Sequence, residues 1–363
     1  ILFRINHINL THFRNYRLAS FKFDEQVTAV CGWNGSGKTN LLDAIYYLCF
    51  TKSYLGLTDS ASVKQGLQGF NLNGTFQKGN DHYPVSVILR ENGKKELWVD
   101  KEPVSPFSLH IGRLPVVFVA PDDVVLITGG SEERRKLMDT ILSQKNSQYL
   151  VQLIRYNKCL LERNKYLKSS DNGLIDHLLL DTFDEQLVQS GTYILKERLG
   201  FLTEFIPLVK NLFAFIADDA EQPDFRFLPS TSPENYLRDL QNQRQKDILL
   251  QRTLTGIHRD DLEITLNNMP FRQIASQGQK KSLLFALKLA EFSMLKNHFG
   301  FEPLLLLDDI FEKLDQKRLH MLLNWVCVRN LGQVIMSDTH PERIQQALNE
   351  IGVTFNLIKP EHG

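Results

Sequence analysis

The densest chemistry in the chain lies at Gly32-Trp33-Asn34-Gly35-Ser36-Gly37-Lys38-Thr39, which fits the pattern G-x-x-x-x-G-K-[ST]. Glycines are needed there because backbone N–H groups must turn inward around phosphate oxygens, through angles that side chains obstruct. Lys38 supplies a positive charge for the outer phosphates, and Thr39 a hydroxyl for a magnesium ion. The β-rich run Val27 to Cys31 precedes the loop and an apolar run, Leu41 to Leu48, follows it. A helix starting near Lys38 would therefore present its positive end to the phosphates. The segment from Gly32 through Asn40 reads as a nucleotide-binding loop.

Leu304-Leu305-Leu306-Leu307-Asp308-Asp309 reads as a buried parallel strand ending in two carboxylates. Apolar strands ending in aspartate are common. Behind a phosphate loop the pair gains a role: Asp308 for the magnesium, Asp309 for the attacking water. Ser276-Gln277-Gly278-Gln279 precedes an amphipathic helix carrying Leu283, Leu284 and Leu287. Its simplest role is a helix cap with Ser276 at the N-cap. Lys280 and Lys281 nevertheless lie in the first turn, where positive charge opposes the helix dipole by roughly 0.3–1 kcal/mol each. That placement suits a helix end facing an anion.

These residues need a sheet to hold them, and the pattern supplies one. Alternation over Leu2 to Leu10, with Phe21-Lys22-Phe23 and Val27 to Cys31, predicts short strands. Further strands are expected at 70–76, 83–89, 97–99 and 114–119, with a turn at Glu91-Asn92-Gly93. From Ser131 the spacing turns helical: Leu150, Leu153, Asn157, Leu160, Asn164 and Leu167 form one stripe, and Ile175, Leu178, Leu179, Leu187, Ile194 and Leu199 a looser one. Ser169-Ser170-Asp171-Asn172-Gly173 between them is a turn signal, so a helical hairpin is expected. Residues 131–171 carry nine Lys/Arg against five Asp/Glu, and residues 174–200 two against five. Two helix faces attracting each other and a basic surface for a polyanion both fit that imbalance. Pro223, Pro229 and Pro233 suggest an irregular stretch before α/β character returns near residue 250.

Composition narrows the class. The 363 residues hold 42% hydrophobic and 23% charged side chains, enough for a real core and against general disorder. Lys plus Arg and Asp plus Glu both total 42, so overall charge announces no polyanion partner. The four cysteines form no C-x-x-C pair, against a zinc site or disulfide framework. With no leader pattern and no uninterrupted apolar run near about 20 residues, the expectation is a cytoplasmic protein without a membrane span.

The order of phosphate loop, Ser276–Gln279 signature, Leu304–Asp309 strand, Leu314-Asp315 and Thr339-His340 resembles the ABC ATPase head. The long separation of loop and signature is similar to the SMC-like branch, whose heads carry inserted helices. Phe13-Arg14-Asn15-Tyr16, Phe118 to Asp123, Gly129-Gly130 with Arg134-Arg135, and Gly256 to Leu262 extend the likeness to the bacterial RecF family of recombination-repair ATPases. The resemblance implies an α/β, ABC-type head, residues 1–125 and 249–363, with a helical arm at 126–248. It implies Lys38 and Asn34 at phosphate, Arg14 near the nucleotide, Asp315 at the subunit boundary and His340 as a γ-phosphate sensor. Ser276, Gln277, Gly278 and Gln279 would complete the site from a second subunit.

It further implies ATP and Mg²⁺ as ligands, an ATP-dependent homodimer on DNA, and RecR and RecO as partners. Asp309 stands where most ABC proteins have glutamate, compatible with slow hydrolysis. Ala120-Pro121-Asp122 fills the Q-loop slot without a glutamine, and Lys281 replaces a customary arginine. Two roles stay open for His258-Arg259-Asp260-Asp261: a salt-bridged turn, or a relay of nucleotide state. Arg134-Arg135-Lys136 fits either a helix surface or a DNA contact. The competing functional readings are an ATPase subunit of a membrane transporter and an ATP-stabilised scaffold that never hydrolyses.

Overall fold

A computed structural model describes residues 2–169, 175–217, 221–311 and 314–360. The chain forms two compact units: 1–123 with 212–218 and 277–363, and 124–211 with 219–276. The first unit opens with β1 (Phe3–Phe13), β2 (Tyr16–Lys22), β3 (Val27–Cys31) and α1 (Lys38–Phe50). Strands β4 (Phe70–Lys78), β5 (Asp81–Leu89), β6 (Lys95–Val99), β7 (Glu102–Pro103) and β8 (Val116–Val119) follow. β1 and β2 extend well past the short strands expected, because Phe13 pairs with Tyr16 across a two-residue turn. Gly93, with φ +78°, turns the chain between β5 and β6 as its position suggests.

The second unit holds α2 (Val125–Thr128), α3 (Ser131–Lys145), α4 (Ser147–Ser169) and most of α5 (His177–Ala217). It continues with β9 (Asp224–Leu228), α6 (Tyr236–Leu250), β10 (Asp261–Leu266), β11 (Met269–Pro270) and α7 (Phe271–Ile274). The chain then re-enters the first unit with α8 (Gln277–Phe299), β12 (Leu304–Leu307), α9 (Gln316–Leu323), β13 (Val334–Asp338), α10 (Pro341–Glu350) and β14 (Phe355–Ile358).

Two sheets make the first unit. An antiparallel sheet runs β2-β1-β4-β5-β6-β7, and a parallel one β14-β3-β13-β12-β8. The inner parallel strands VTAVC, LLLL and VIMSD are buried at every position, as sheets covered on both faces require. α1 packs on β1, β4 and β5 of one sheet and on β8 and β13 of the other. That double burial explains why Leu41, Leu42, Ile45, Tyr46, Tyr47 and Leu48 leave α1 with no polar stripe. Each such side chain contributes about 1.5–3 kcal/mol on burial. Gln333, just before β13, locks the sheets together: it accepts from Ile5 N–H at 2.8 Å and donates to Ile5 C=O at 2.9 Å.

In the second unit several expectations change. The proline-marked stretch holds one strand, β9, which pairs with β10, and β10 with β11, while 229–235 are irregular as expected; residues 249–276 group with the second unit, and the chain re-enters the first at Gln277 rather than at 249. The buried stripe of α4 is Tyr149, Tyr156, Cys159, Arg163 and Leu167, while Asn157 is exposed. In α5, Leu178, Leu179 and Leu199 are exposed, and Leu180, Asp184, Leu187, Ile194 and Arg198 are buried. Counting only apolar residues shifted both stripes, because Arg163 sits fully buried between Asp184 at 2.9 Å and Asp247 at 2.8 Å. Of the turn signal at 169–173, residues 170–173 lie outside the described residues. α5 is long and apolar enough to cross a membrane by length and composition, with Pro207 inside it, a feature the search for uninterrupted runs missed.

Candidate nucleotide-binding site

The parallel sheet brings three strand ends together. β13 lies between β3 and β12, with Asp338 opposite Cys31 and Met336 opposite Leu307. The loop after β3, the carboxylates after β12 and the Thr339-His340 pair after β13 therefore meet at one carboxyl edge, where open parallel sheets place their ligands.

Gly37 (φ +102°) turns the loop into α1. A Cβ there would stand 2.6 Å from both Asn15 Nδ2 and Tyr16 Oη, so glycine is required by space as well as by backbone angle. Those neighbours hold the loop. Asn15 Nδ2 donates to Ser36 C=O at 3.3 Å, Tyr16 Oη donates to Gly37 C=O at 3.0 Å, and Asn40 Nδ2 donates to Asn15 Oδ1 at 2.7 Å. Burial pushes the Tyr16 hydroxyl well above its ordinary pKa, keeping it a donor. Arg14, at φ +57°, reaches the buried Asp43 of α1 at 2.6 Å and Ser53 Oγ at 3.0 Å. Asn15 and Tyr16 brace the loop, a role whose only sequence signal is their adjacency to Arg14.

Lys38 is buried, its Nζ donating to Gly32 C=O at 2.8 Å and Trp33 C=O at 3.2 Å. Ser36 Oγ is buried with no hydrogen-bond partner among the described residues. Thr39 Oγ1 donates to Asp308 at 2.8 Å from Oδ2 and 3.0 Å from Oδ1. Ser337 Oγ donates to Asp308 Oδ1 at 2.6 Å and accepts from Asp309 N–H at 3.0 Å. Ser337 thus fixes both carboxylate residues, a role no motif announced. Burial pushes the Asp308 carboxyl up, against the pull of the Ser337 and Thr39 hydrogen bonds. Asp309 is half-buried with φ +43°.

Buried Asp338 accepts from His340 N–H at 2.8 Å and holds Arg343 bidentately, the shortest contact 2.6 Å. The His340 ring is 64% exposed at the start of α10, its Nδ1 2.8 Å from Thr339 Oγ1. A cavity of about 700 Å³ opens beside this edge, lined by Gly32, Trp33, Asn34, Ser36, Thr339 and His340 among others. Trp33 is 85% exposed at its rim. Gly35 (φ +83°) completes the loop.

The signature forms a separate constellation. α8 begins one residue after Ser276; Ser276 and Gln277 are exposed, Gly278 and Gln279 half-buried. Asp315 caps α9 by accepting Arg318 N–H at 2.9 Å, and its side chain also pairs with the Arg318 guanidinium. These contacts hold the Asp315 carboxyl below the usual range. Directly after Ala120-Pro121-Asp122, the segment expected in the Q-loop slot, Asp123 accepts from Tyr54 Oη at 2.6 Å and lies 3.7 Å from the buried Lys288 of α8.

The two open clusters of the second unit pair largely with each other, while Lys136 and Arg259 are exposed. Arg134 grips Asp261 through Nε at 2.8 Å and Nη2 at 3.0 Å, Arg135 donates to Asp260 C=O at 2.6 Å, and Asp260 pairs with Arg198 at 2.9 Å. Lys136 pairs with Glu132 and Glu133. A salt-bridged turn at the start of β10 is what the structure contains.

The family model for the RecF/RecN/SMC N-terminal domain matches residues 4–359. The DNA replication and repair protein RecF of Cytophaga hutchinsonii is 38% identical over 93% of this chain and 90% of its own. That of Bacteroides thetaiotaomicron is 36% identical over 99% and 97%. A solved structure of the recombination mediator protein RecF with ATP superposes at a TM-score of 0.86 with 28% identity, covering 93% of this chain and 92% of that one. An Smc head from Pyrococcus furiosus shares the fold at a TM-score of 0.53 and 16% identity. With loop, strand-end carboxylates and inserted arm in that arrangement, the chain belongs to the RecF family of SMC-like ABC ATPases.

Proposed function

We propose that this protein is an ATP-dependent, DNA-binding ATPase of recombinational repair and replication-gap processing, working in the cytoplasm. Mg-ATP binds the loop edge of one copy, and the signature of a second closes over the γ-phosphate, giving a head-to-tail homodimer that clamps DNA. The observation that carries this reading is the edge built by β3, β12 and β13, where a buried lysine, glycine turns and a Thr39–Asp308 pair converge. The oxygen donors Thr39 and Asp308 suit a hard cation, and the orphaned Ser36 hydroxyl faces no protein acceptor of its own. Bound magnesium would neutralise charge between the outer phosphates.

Within the chain, Lys38 and the loop through Asn40 hold the triphosphate and Asp309 orients the water. His340, mostly exposed beside the cavity, senses the γ-phosphate. Ser276 to Gln279 with Asp315 serve the partner's nucleotide. Because the phosphate charge is fully met only in the closed pair, ATP shifts the monomer–dimer equilibrium and hydrolysis reverses the shift. DNA contacts run mainly to phosphates and weaken with salt. RecR and RecO are the partners that the family resemblance implies.

Light scattering of the purified protein with and without Mg-ATP, repeated with a short gapped duplex, tests this. An ATP-dependent dimer that Ser276→Arg abolishes while ATP binding survives is expected. A wild type that stays monomeric with ATP and DNA refutes the shared site. Phosphate release by wild type but not Asp309→Asn supports hydrolysis, and silence from both, with dimerisation intact, makes the protein a scaffold.

A further inference from the structure

The signature glycine has a neighbour outside its own motif. A Cβ on Gly278 would stand 3.0 Å from Nη1, 3.2 Å from Nη2 and 3.3 Å from Cζ of Arg318. These distances place the Nη1–Nη2 end of the guanidinium against the glycine. Gly278 is not among the glycines with positive φ, so the backbone does not demand glycine here; an added methyl would instead make the guanidinium give way by a few tenths of an ångström. Arg318 in turn is fixed by the D-loop position. Its N–H donates to Asp315 Oδ1 at 2.9 Å, its Nη1 pairs with Asp315 Oδ2, and its Nε is buried without an acceptor among the described residues. The side chain is only 25% exposed. A planar fork of donors can lie on a backbone and grip a carboxylate at once, which a lysine cannot do.

We infer that Arg318 is a positioning residue of the half-site offered to a second copy. Its guanidinium ties the signature backbone at Gly278 to Asp315, so that signature and D-loop meet the partner's nucleotide as one rigid piece. This rests on the shared-site reading above. Asp315 and Gly278 belong to segments far apart in sequence, and closure over a γ-phosphate requires both at fixed separation. Arg318 supplies that separation without touching the chain's own phosphate loop.

The test uses the full chain carrying Arg318→Ala, Arg318→Lys, Gly278→Ala or the Gly278→Ala/Arg318→Ala pair. Affinity for a fluorescent ATP analogue is measured at concentrations where protomers are separate; ATP-dependent dimerisation and kcat follow. Arg318→Ala is expected to keep nucleotide affinity within about twofold and to lose on the order of tenfold or more in both dimerisation and kcat, the scale of a lost charge-assisted contact. Unchanged nucleotide affinity also certifies the fold. Arg318→Lys should not rescue. Gly278→Ala should cost less in the Arg318→Ala background, because the added methyl then meets no guanidinium. Mixing Arg318→Ala with Lys38→Ala should restore turnover, since one composite site then has an intact loop from one copy and an intact Arg318 from the other.

Arg318→Ala protein that dimerises and turns over like wild type overturns the inference. Equal cost of Gly278→Ala in both backgrounds does so too, as does a mixture that stays inactive. Wild-type protein that fails to dimerise with Mg-ATP refutes instead the shared site itself, and this inference with it.

Discussion

His258 gives the second unit a pH-dependent stability whose size follows from its contacts. Its Nε2 lies 3.0 Å from Thr253 C=O, which only accepts, so Nε2 carries the proton. Nδ1 is then the acceptor for Tyr156 Oη at 2.8 Å, and Tyr156 in turn accepts from Tyr236 Oη at 3.0 Å. Protonating Nδ1 would set two donors against each other. Burial lowers the imidazole from 6.5 to about 4, with Arg259, Arg135 and Arg163 adding repulsion and the Thr253 carbonyl opposing the shift.

The folded form thus keeps His258 neutral while the unfolded chain takes up a proton below pH 6.5. The stabilisation is complete above that pH and is lost as pH falls toward 4. At 1.36 kcal/mol per pKa unit the full loss is on the order of 3 kcal/mol, and about 2 kcal/mol has gone by pH 5. Urea melts of wild type and His258→Gln at pH 7, 6 and 5 measure it. They should be followed by far-ultraviolet circular dichroism, because Trp33, Trp98 and Trp325 all lie in the first unit. Glutamine can donate to Thr253 and accept from Tyr156 without titrating. The wild-type curve should fall about 2 kcal/mol further than the variant's between pH 7 and 5; parallel curves would refute the tautomer assignment and its burial cost.

Arg163→Met leaves Asp184 and Asp247 without their shared cation in a fully buried site. A loss of about 3–5 kcal/mol is expected in the same melts. Tyr16→Phe strips the donor from Gly37 C=O inside the protein. ATP affinity should weaken by up to roughly tenfold, the value of one buried hydrogen bond, as read by analogue titration. Ser337→Ala removes the hydroxyl that links Asp308 to Asp309 N–H. Steady-state kinetics should show kcat falling by about tenfold or more with KM changing less, because the variant releases the carboxylates and spares the loop.

How much of this was legible in the sequence depended on the kind of contact. Gly32 to Thr39 and Leu304 to Asp309 could be read because backbone turns and strand-end carboxylates leave local patterns. The parallel strands β3, β8 and β12 were visible as largely apolar runs for the same reason. Arg163, Asp184 and Asp247 were invisible: each reads as a surface charge until folding brings 21 and 84 residues of separation to hydrogen-bonding distance. Ser337 was lost inside VIMSD, where a hydroxyl in a buried strand matters only through the neighbouring strand's carboxylate. β9 was lost because Pro223 and Pro229 flank it, and proline next to an edge strand looks like a loop.

The internal use of charge also decides which cations of the arm are left facing solvent. The excess of nine cations over five anions in residues 131–171 suggested a basic surface, yet Arg134, Arg135 and Arg163 are spent on Asp261, the Asp260 carbonyl, Asp184 and Asp247. Lys136 is answered by two glutamates. What faces solvent on α4 is Arg155, Lys158, Lys165 and Lys168, spaced by three, seven and three and interrupted by Glu162. At 100° per residue Lys158, Lys165 and Lys168 share the side roughly opposite the buried Tyr156–Arg163 stripe, whereas Arg155, four residues before buried Cys159, flanks it. Arg134, Arg135 and Arg163 thus serve contacts within the arm, while Arg155 and three lysines of α4 face solvent. A chain with no net charge can bind a polyanion on those terms, since its affinity depends on the local ridge of cations and not on the sum.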